Sequence, residues 1–328
     1  MNCWFVRAIL LLICLVAFPF RSPAPLIFNN KEGWVYETPG TTAEGKWQRD
    51  RAKDQLDVAQ AALDRNDPSL ALKAARRTVK VWPLSDYAPQ AQYLIGRCQE
   101  AKKRDEKAFK AYQEVLEKYP KIPNYQEISQ RQFEIAARFL KGQRFKLFGY
   151  IPFFPSMEKT SDMYAKIVRN GPYSEIAPRA QMNIGAAREK QSEYQLAVKA
   201  YELAADRYHD RKEVAAEALY KAGIASNKQA RTAEYDQSVA AAAIGTFTDF
   251  MALYPNDPRS TEAQKLISSL KAEQARGSYQ TAKFYEKNKK WDGALIYYNE
   301  VLLKDPESPL ATAARERIDL LKKQVGQN

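Results

Sequence analysis

The chain has 328 residues, a formal charge of +12 and only 13 glycines, one histidine and three cysteines. Scarce glycine with abundant Ala, Lys, Gln and Glu favours helix over sheet. With one His (His209) and only Cys98 beyond residue 24, the chain has no internal disulfide downstream, no His/Cys/Asp cluster at metal-ligand spacing and no Gly-rich phosphate loop. No catalytic residue, metal or cofactor is therefore expected.

Residues 1–24, "MNCWFVRAILLLICLVAFPFRSPA", read as an export signal. Arg7 supplies its charge, and Ala8 to Ala17 is an apolar run too short to span a bilayer comfortably. "SPA" offers a small-residue cleavage site before Pro25. Cys14 is a lipidation candidate, but the residue ahead of it is Ile13 where a small one is normal, so a mature chain without lipid is expected. An uncleaved anchor is the third reading. Export removes nucleic acid from the partners a basic chain would attract and leaves anionic envelope partners. Residues 25–45, containing "KEGWVYETPG", form an N-terminal extension, and residues 46–328 read as helical apart from a loop insertion at about 143–157.

The helical region repeats. Six stretches end at Pro83, Pro120, Pro172, His209, Pro255 and Pro306. Twelve residues before each stand Ala71, Ala108, Thr160, Ala197, Ala243 and Ala294. Eight residues before stand Ala75, Tyr112, Tyr164, Tyr201, Phe247 and Tyr298. A small residue four places ahead of an aromatic shares its helix face and lets a second helix approach. The partner small residues are Ala59, Gly96, Gly185 and Ala282, with Ala136 and Gly223 displaced upstream. The displacement places an insertion at about 143–157 in the third repeat and a shorter one in the fifth.

The pattern predicts an all-α solenoid of five to six helix pairs with Ser308 to Gln324 as a C-terminal capping helix. It resembles the tetratricopeptide repeat. After each terminal proline, Ser85, Ser174, Asp257 and Ser308 are expected to accept from the amides of the next helix. Pro89 and Pro178 fall in the first turn, where a missing N–H costs least. The aromatic pair usual in the first helix looks poorly kept apart from Tyr285.

The starts "PLSDYAPQA" and "PYSEIAPRA", and the long lead "PRSTEAQKLISSLKAEQARGSYQTAKFYEKNKKWDGALIYYNEVLLKDPESP", resemble the BamD family over residues 46–324. That family is the helical-repeat component of the outer-membrane β-barrel assembly machinery. The resemblance implies a periplasmic scaffold at the inner face of the outer membrane. Its implied partners are a β-barrel assembly protein and unfolded outer-membrane proteins. Cys14, the aromatic insertion and the N-terminal extension depart from the family pattern. The alternatives are a periplasmic adaptor in envelope division or secretion and, as an enzyme, a carboxylate-only cell-wall glycan hydrolase, for which no pair is marked.

Groove-lining first helices point to Lys53, Gln60, Gln90, Tyr93, Arg97, Gln130 and Phe133 as partner contacts, a mix suited to an extended peptide. Ordinary interhelix packing is the competing reading for Tyr93 and Phe133. In the insertion, Phe148, Tyr150, Phe153 and Phe154 are candidates for a partner, the membrane or their own core. His209 replaces a terminal proline and reads as a loop residue.

Overall fold

The computed structural model describes residues 26–29, 33–36, 47–147, 151–152, 154–232 and 237–325. The signal, Cys14, Phe148, Tyr150 and Phe153 lie outside the described residues. The protein is an all-α repeat with two small hairpins. Ahead of the helices, β1 (Leu26–Asn29) pairs antiparallel with β2 (Gly33–Tyr36), in the register Leu26 with Tyr36.

The chain divides into two compact units at Ile128 and Ser129. The first contains α1 (Ala52–Asp64), α2 (Pro68–Val81), α3 (Ala88–Ala101) and α4 (Asp105–Lys118), and takes in the opening residues of α5 (Tyr125–Leu140). The second holds the rest of α5 and α6 (Met157–Asn170), α7 (Ala177–Lys190), α8 (Tyr194–Arg207) and α9 (Lys212–Thr232). It continues through α10 (Gln237–Leu253), α11 (Ser260–Lys287), α12 (Trp291–Lys304) and the capping helix α13 (Pro309–Val325). Consecutive helices pack together from α1 to α4 and from α6 to α13, and first helices also touch the next first helix: α1 with α3, α7 with α9, α9 with α11, α11 with α13.

The counted positions are the crossing points. Ala71, Ala108, Thr160, Ala197, Ala243 and Ala294 are fully buried, and the six residues four places on are at most 1% exposed. The opposing glycines explain the fit. A Cβ on Gly96 would stand 2.2 Å from a ring carbon of Tyr112, on Gly185 2.5 Å from Tyr201, and on Gly223 2.6 Å from Phe247. Only a residue without Cβ admits the ring at that separation.

Three features of the repeat escape the first reading. The acid four residues past the small residue is a phenol acceptor: the hydroxyls of Tyr112, Tyr201 and Tyr298 donate to Glu100 (2.9 Å), Glu189 (2.7 Å) and Glu286 (2.6 Å). Where the third repeat has Leu140 in that place, the buried hydroxyl of Tyr164 finds no acceptor. Burial pushes that phenol up to about 12, with Asn183 and Arg179 acting weakly against it.

The turn inside the pair repeats too. Asn66, Lys103, Ser192 and Lys289 hold φ of 53–59°. The amides of the residues after them reach back to Ala62, Gln99, Arg188 and Tyr285, closing the helix end as a Schellman-type cap does.

Third, four of the six repeats carry a first-helix aromatic three places before the small residue, where the first and fourth have Leu56 and Met182. Tyr93 packs on Tyr112 (6.0 Å between centroids), Phe133 on Tyr164 (5.5 Å), Tyr220 on Phe247 (6.0 Å) and Tyr279 on Tyr298 (5.4 Å).

The expected serine caps hold only in part. Ser308 accepts from the Ala311 amide (3.2 Å) and Asp257 from the Arg259 amide (2.9 Å). Ser85 and Ser174 instead donate backwards, to the carbonyls of Trp82 (3.0 Å) and Gly171 (2.8 Å). Their helices start three residues later, at Ala88 and Ala177, so the hydroxyls serve the preceding helix end. Pro89 and Pro178 do sit in the first turn.

The third-repeat insertion is a small hairpin rather than a bare loop: β3 (Lys146–Leu147) pairs with β4 (Ile151–Pro152). At its base the Phe145 amide donates to the Phe154 carbonyl (3.1 Å), and buried Phe145 stacks on Phe139 at 4.2 Å. Ser156 caps α6 by accepting from the Lys159 amide (3.2 Å), so residue 157 belongs to the repeat. In the fifth repeat the extra length goes partly into α9, which runs 21 residues.

Candidate functional site

In the first unit, the expected groove residues lie on α1 and α3. Lys53 is exposed, and the half-buried Gln60 amide bonds to Asp64 of its own helix (2.8 Å). Gln90 is half-buried at the start of α3. Tyr93 is only 4% exposed, which corrects its placing as an open groove contact: its ring is interhelix packing. Its hydroxyl reaches the surface, donating to Glu127 (2.5 Å) and accepting from Arg97 (3.0 Å). Arg97 also stands 3.9 Å from Glu127, both side chains more than a third exposed. The structure thus joins Tyr93 and Arg97 to Glu127, an acid in the first turn of α5 that sequence reading did not single out. A half-exposed Arg–Glu pair fixed by a phenol presents a donor fork and an acceptor side by side, a fit for a peptide backbone or a terminal carboxylate.

In the second unit, Gln130 bonds to Glu134 one turn on (2.8 Å). Phe133 is 5% exposed, beneath the Arg179 guanidinium at 4.8 Å. It too is corrected from open contact to packing. Cation over ring recurs at Arg259, 5.2 Å from Tyr220 and 5.6 Å from Phe250. Burial and Glu262 push the Tyr220 phenol up to about 12, and Asp257 is held below the usual carboxylate range by its hydrogen bonds with Arg259. Of the insertion aromatics, Phe154 is described and is 45% exposed. His209 is an exposed loop residue whose Nδ1 lies 2.8 Å from the Asp206 carbonyl. Cys98 is buried, its thiol pushed up to about 11 by desolvation, which suits packing rather than reactivity. Among the described residues no group of three His, Cys, Asp or Glu is placed to hold a metal, and no helix is long and apolar enough to cross a membrane.

Buried small–aromatic crossings, αL turns between paired helices and proline stops define a tetratricopeptide-repeat protein, and a tetratricopeptide-repeat family model matches residues 56–123. The YfiO family model, described as outer membrane lipoprotein, matches residues 156–327, just over half of the chain, and the chain belongs to that family. Both families are non-catalytic scaffolds, and tetratricopeptide-repeat proteins act through protein–protein contacts.

Curated proteins yield no sequence match. Solved structures similar to the chain include MamA 41-end from Desulfovibrio magneticus RS-1. It is 17% identical with a TM-score of 0.32, covering 66% of this chain and 99% of that one. The C-terminal part of a repeat protein from Cytophaga hutchinsonii is 14% identical, TM-score 0.35, covering 80% and 87%. A tetratricopeptide repeat protein from Parabacteroides merdae ATCC 43184 is 13% identical, TM-score 0.34, covering 83% and 98%.

Proposed function

We propose that the protein is a BamD-like scaffold, exported to the periplasm and associated with the outer membrane, that aids assembly and insertion of β-barrel proteins by binding other proteins. The observation that carries this reading is the YfiO family match across the whole C-terminal repeat run, residues 156–327. The helix pairs add support, since their burial goes into holding a fixed surface. On this reading Arg97, Glu127 and the Tyr93 hydroxyl form a polar docking point, flanked by Lys53, Gln60 and Gln90, with Gln130 a contact of the second unit. The Phe154 end of the insertion is an apolar one. Phe148, Tyr150 and Phe153 are assigned to the same docking role from their sequence positions alone. The partners are a barrel-forming assembly protein and the C-termini of unfolded outer-membrane proteins.

Affinity capture of the tagged protein from envelope extract, read by mass spectrometry, tests the proposal. Enrichment of the barrel-forming assembly protein is expected. Enrichment of division or secretion components in its place would transfer the chain to the adaptor reading.

A further inference from the structure

A recess of about 660 Å³ opens among α6, α7 and α8, within the second unit and apart from the surfaces assigned above. Its floor is apolar, with Ile184 of α7 among the side chains that line it. Tyr173 (83% exposed) and Leu203 (43% exposed) leave large apolar surface uncovered there. Arg169, Lys199 and Arg207 also line it, and no carboxylate does. The nearest acids along α8 are accounted for. Glu202 is shifted up by burial and by its like-charged neighbour Asp206, with Lys199 opposing, and neither acid lines the recess. At the recess edge the Tyr208 hydroxyl donates to the Pro172 carbonyl (3.0 Å). No described residue pairs with Arg169 in a salt bridge.

From this juxtaposition we infer a second docking site, for an acidic protein segment that presents a bulky apolar side chain between carboxylates. The apolar side chain enters the recess beside Leu203 and Ile184, and the carboxylates meet Arg169, Lys199 and Arg207. Guanidinium forks match carboxylates bidentately. A volume of this order holds several side-chain groups. The concavity favours a protein segment over a bilayer, because interfacial binders offer lipid a protruding apolar face with a basic rim. The net charge of +12 draws an acidic partner at long range. The inference rests on reading the chain as a scaffold and is independent of the identity of the β-barrel partner.

Fluorescence anisotropy with the full chain tests it. The probe is a labelled twelve-residue peptide with a Leu-Phe pair flanked by Asp and Glu. The wild type is expected to bind it, and Arg169→Glu with Arg207→Glu to weaken binding at least tenfold. Leu203→Ser is expected to weaken it several-fold. Melting curves must match the wild type, and Arg169→Gln with Arg207→Gln serves if the reversal disturbs folding. Capture of the β-barrel partner should be unchanged in these variants, which separates failure here from failure of the proposed function. The inference is overturned if the variants bind like wild type or if a peptide with the apolar pair replaced by Ser binds equally. It is also overturned if the peptide does not bind while phosphatidylglycerol vesicles do so through Arg169.

Discussion

Gly96→Ala separates this account from a generic helical one. In an exposed helix interior the change is favourable by about 1 kcal/mol, because alanine restricts the unfolded chain. At Gly96 the new methyl meets three Tyr112 ring atoms at 2.2, 2.5 and 2.9 Å. The ring is fully buried and its hydroxyl is tied to Glu100 at 2.9 Å, so it cannot swing clear. Overpacking of this kind costs roughly 1–3 kcal/mol, and its upper end applies with contacts so short. The expected net loss is about 2 kcal/mol after the propensity gain is deducted. Urea unfolding followed by circular dichroism supplies the measurement, with Gly245→Ala as control, since a Cβ there meets nothing within 4 Å. The control should stabilise, and adding Tyr112→Ala to Gly96→Ala should recover part of the loss through a coupling of about 1–2 kcal/mol. A stabilising Gly96→Ala would refute the crossing geometry.

Tyr201→Phe should cost about 1 kcal/mol by removing a phenol from Glu189, whereas Tyr164→Phe should be neutral or stabilising because its hydroxyl has no acceptor to lose; paired denaturation curves check both. Burial raises Tyr164 and Tyr298 to about 12 and Tyr201 further. Stability should therefore be intact below the unfolded phenol pKa of about 10 and fall as pH rises through 12, which midpoints measured from pH 9 to 12 would show. Replacing residues 148–152 by two glycines should leave the melting temperature unchanged, since the Phe145–Phe154 base remains, while Phe154→Ser should weaken partner capture. Intact mass of the exported protein should begin near Pro25 without acyl chains, and a diacylglyceryl group on Cys14 would reverse that expectation.

The crossing points were legible because they impose composition. Where two backbones approach closely, only Ala, Gly or Thr fits, and the gap beside them takes a large ring, so counting back from the stops finds both. The Tyr–Glu bonds obey the same count, from Gly96 to Glu100 and Gly185 to Glu189, and were hidden only because exposed-looking acids are common on helix faces. The αL turns at Asn66, Lys103, Ser192 and Lys289 gave less signal, since three of the four are not the Gly or Asn such positions favour. Tyr93 and Phe133 were read toward the groove because helix periodicity gives the face and not the depth: a ring three places before the crossing points at its partner ring, not at solvent. Glu127 was invisible because its partners lie about thirty positions earlier, a pairing set by helix stacking rather than by local sequence. The insertion also ends earlier than expected, since Ser156 is needed as the cap of α6.

Depletion of the protein in its own host, with folded outer-membrane β-barrels scored by their heat-modifiable migration, tests the central claim most directly. The account predicts that folded barrels fall and unfolded precursors accumulate in the periplasm before growth slows. Undiminished barrel levels after complete depletion would contradict it.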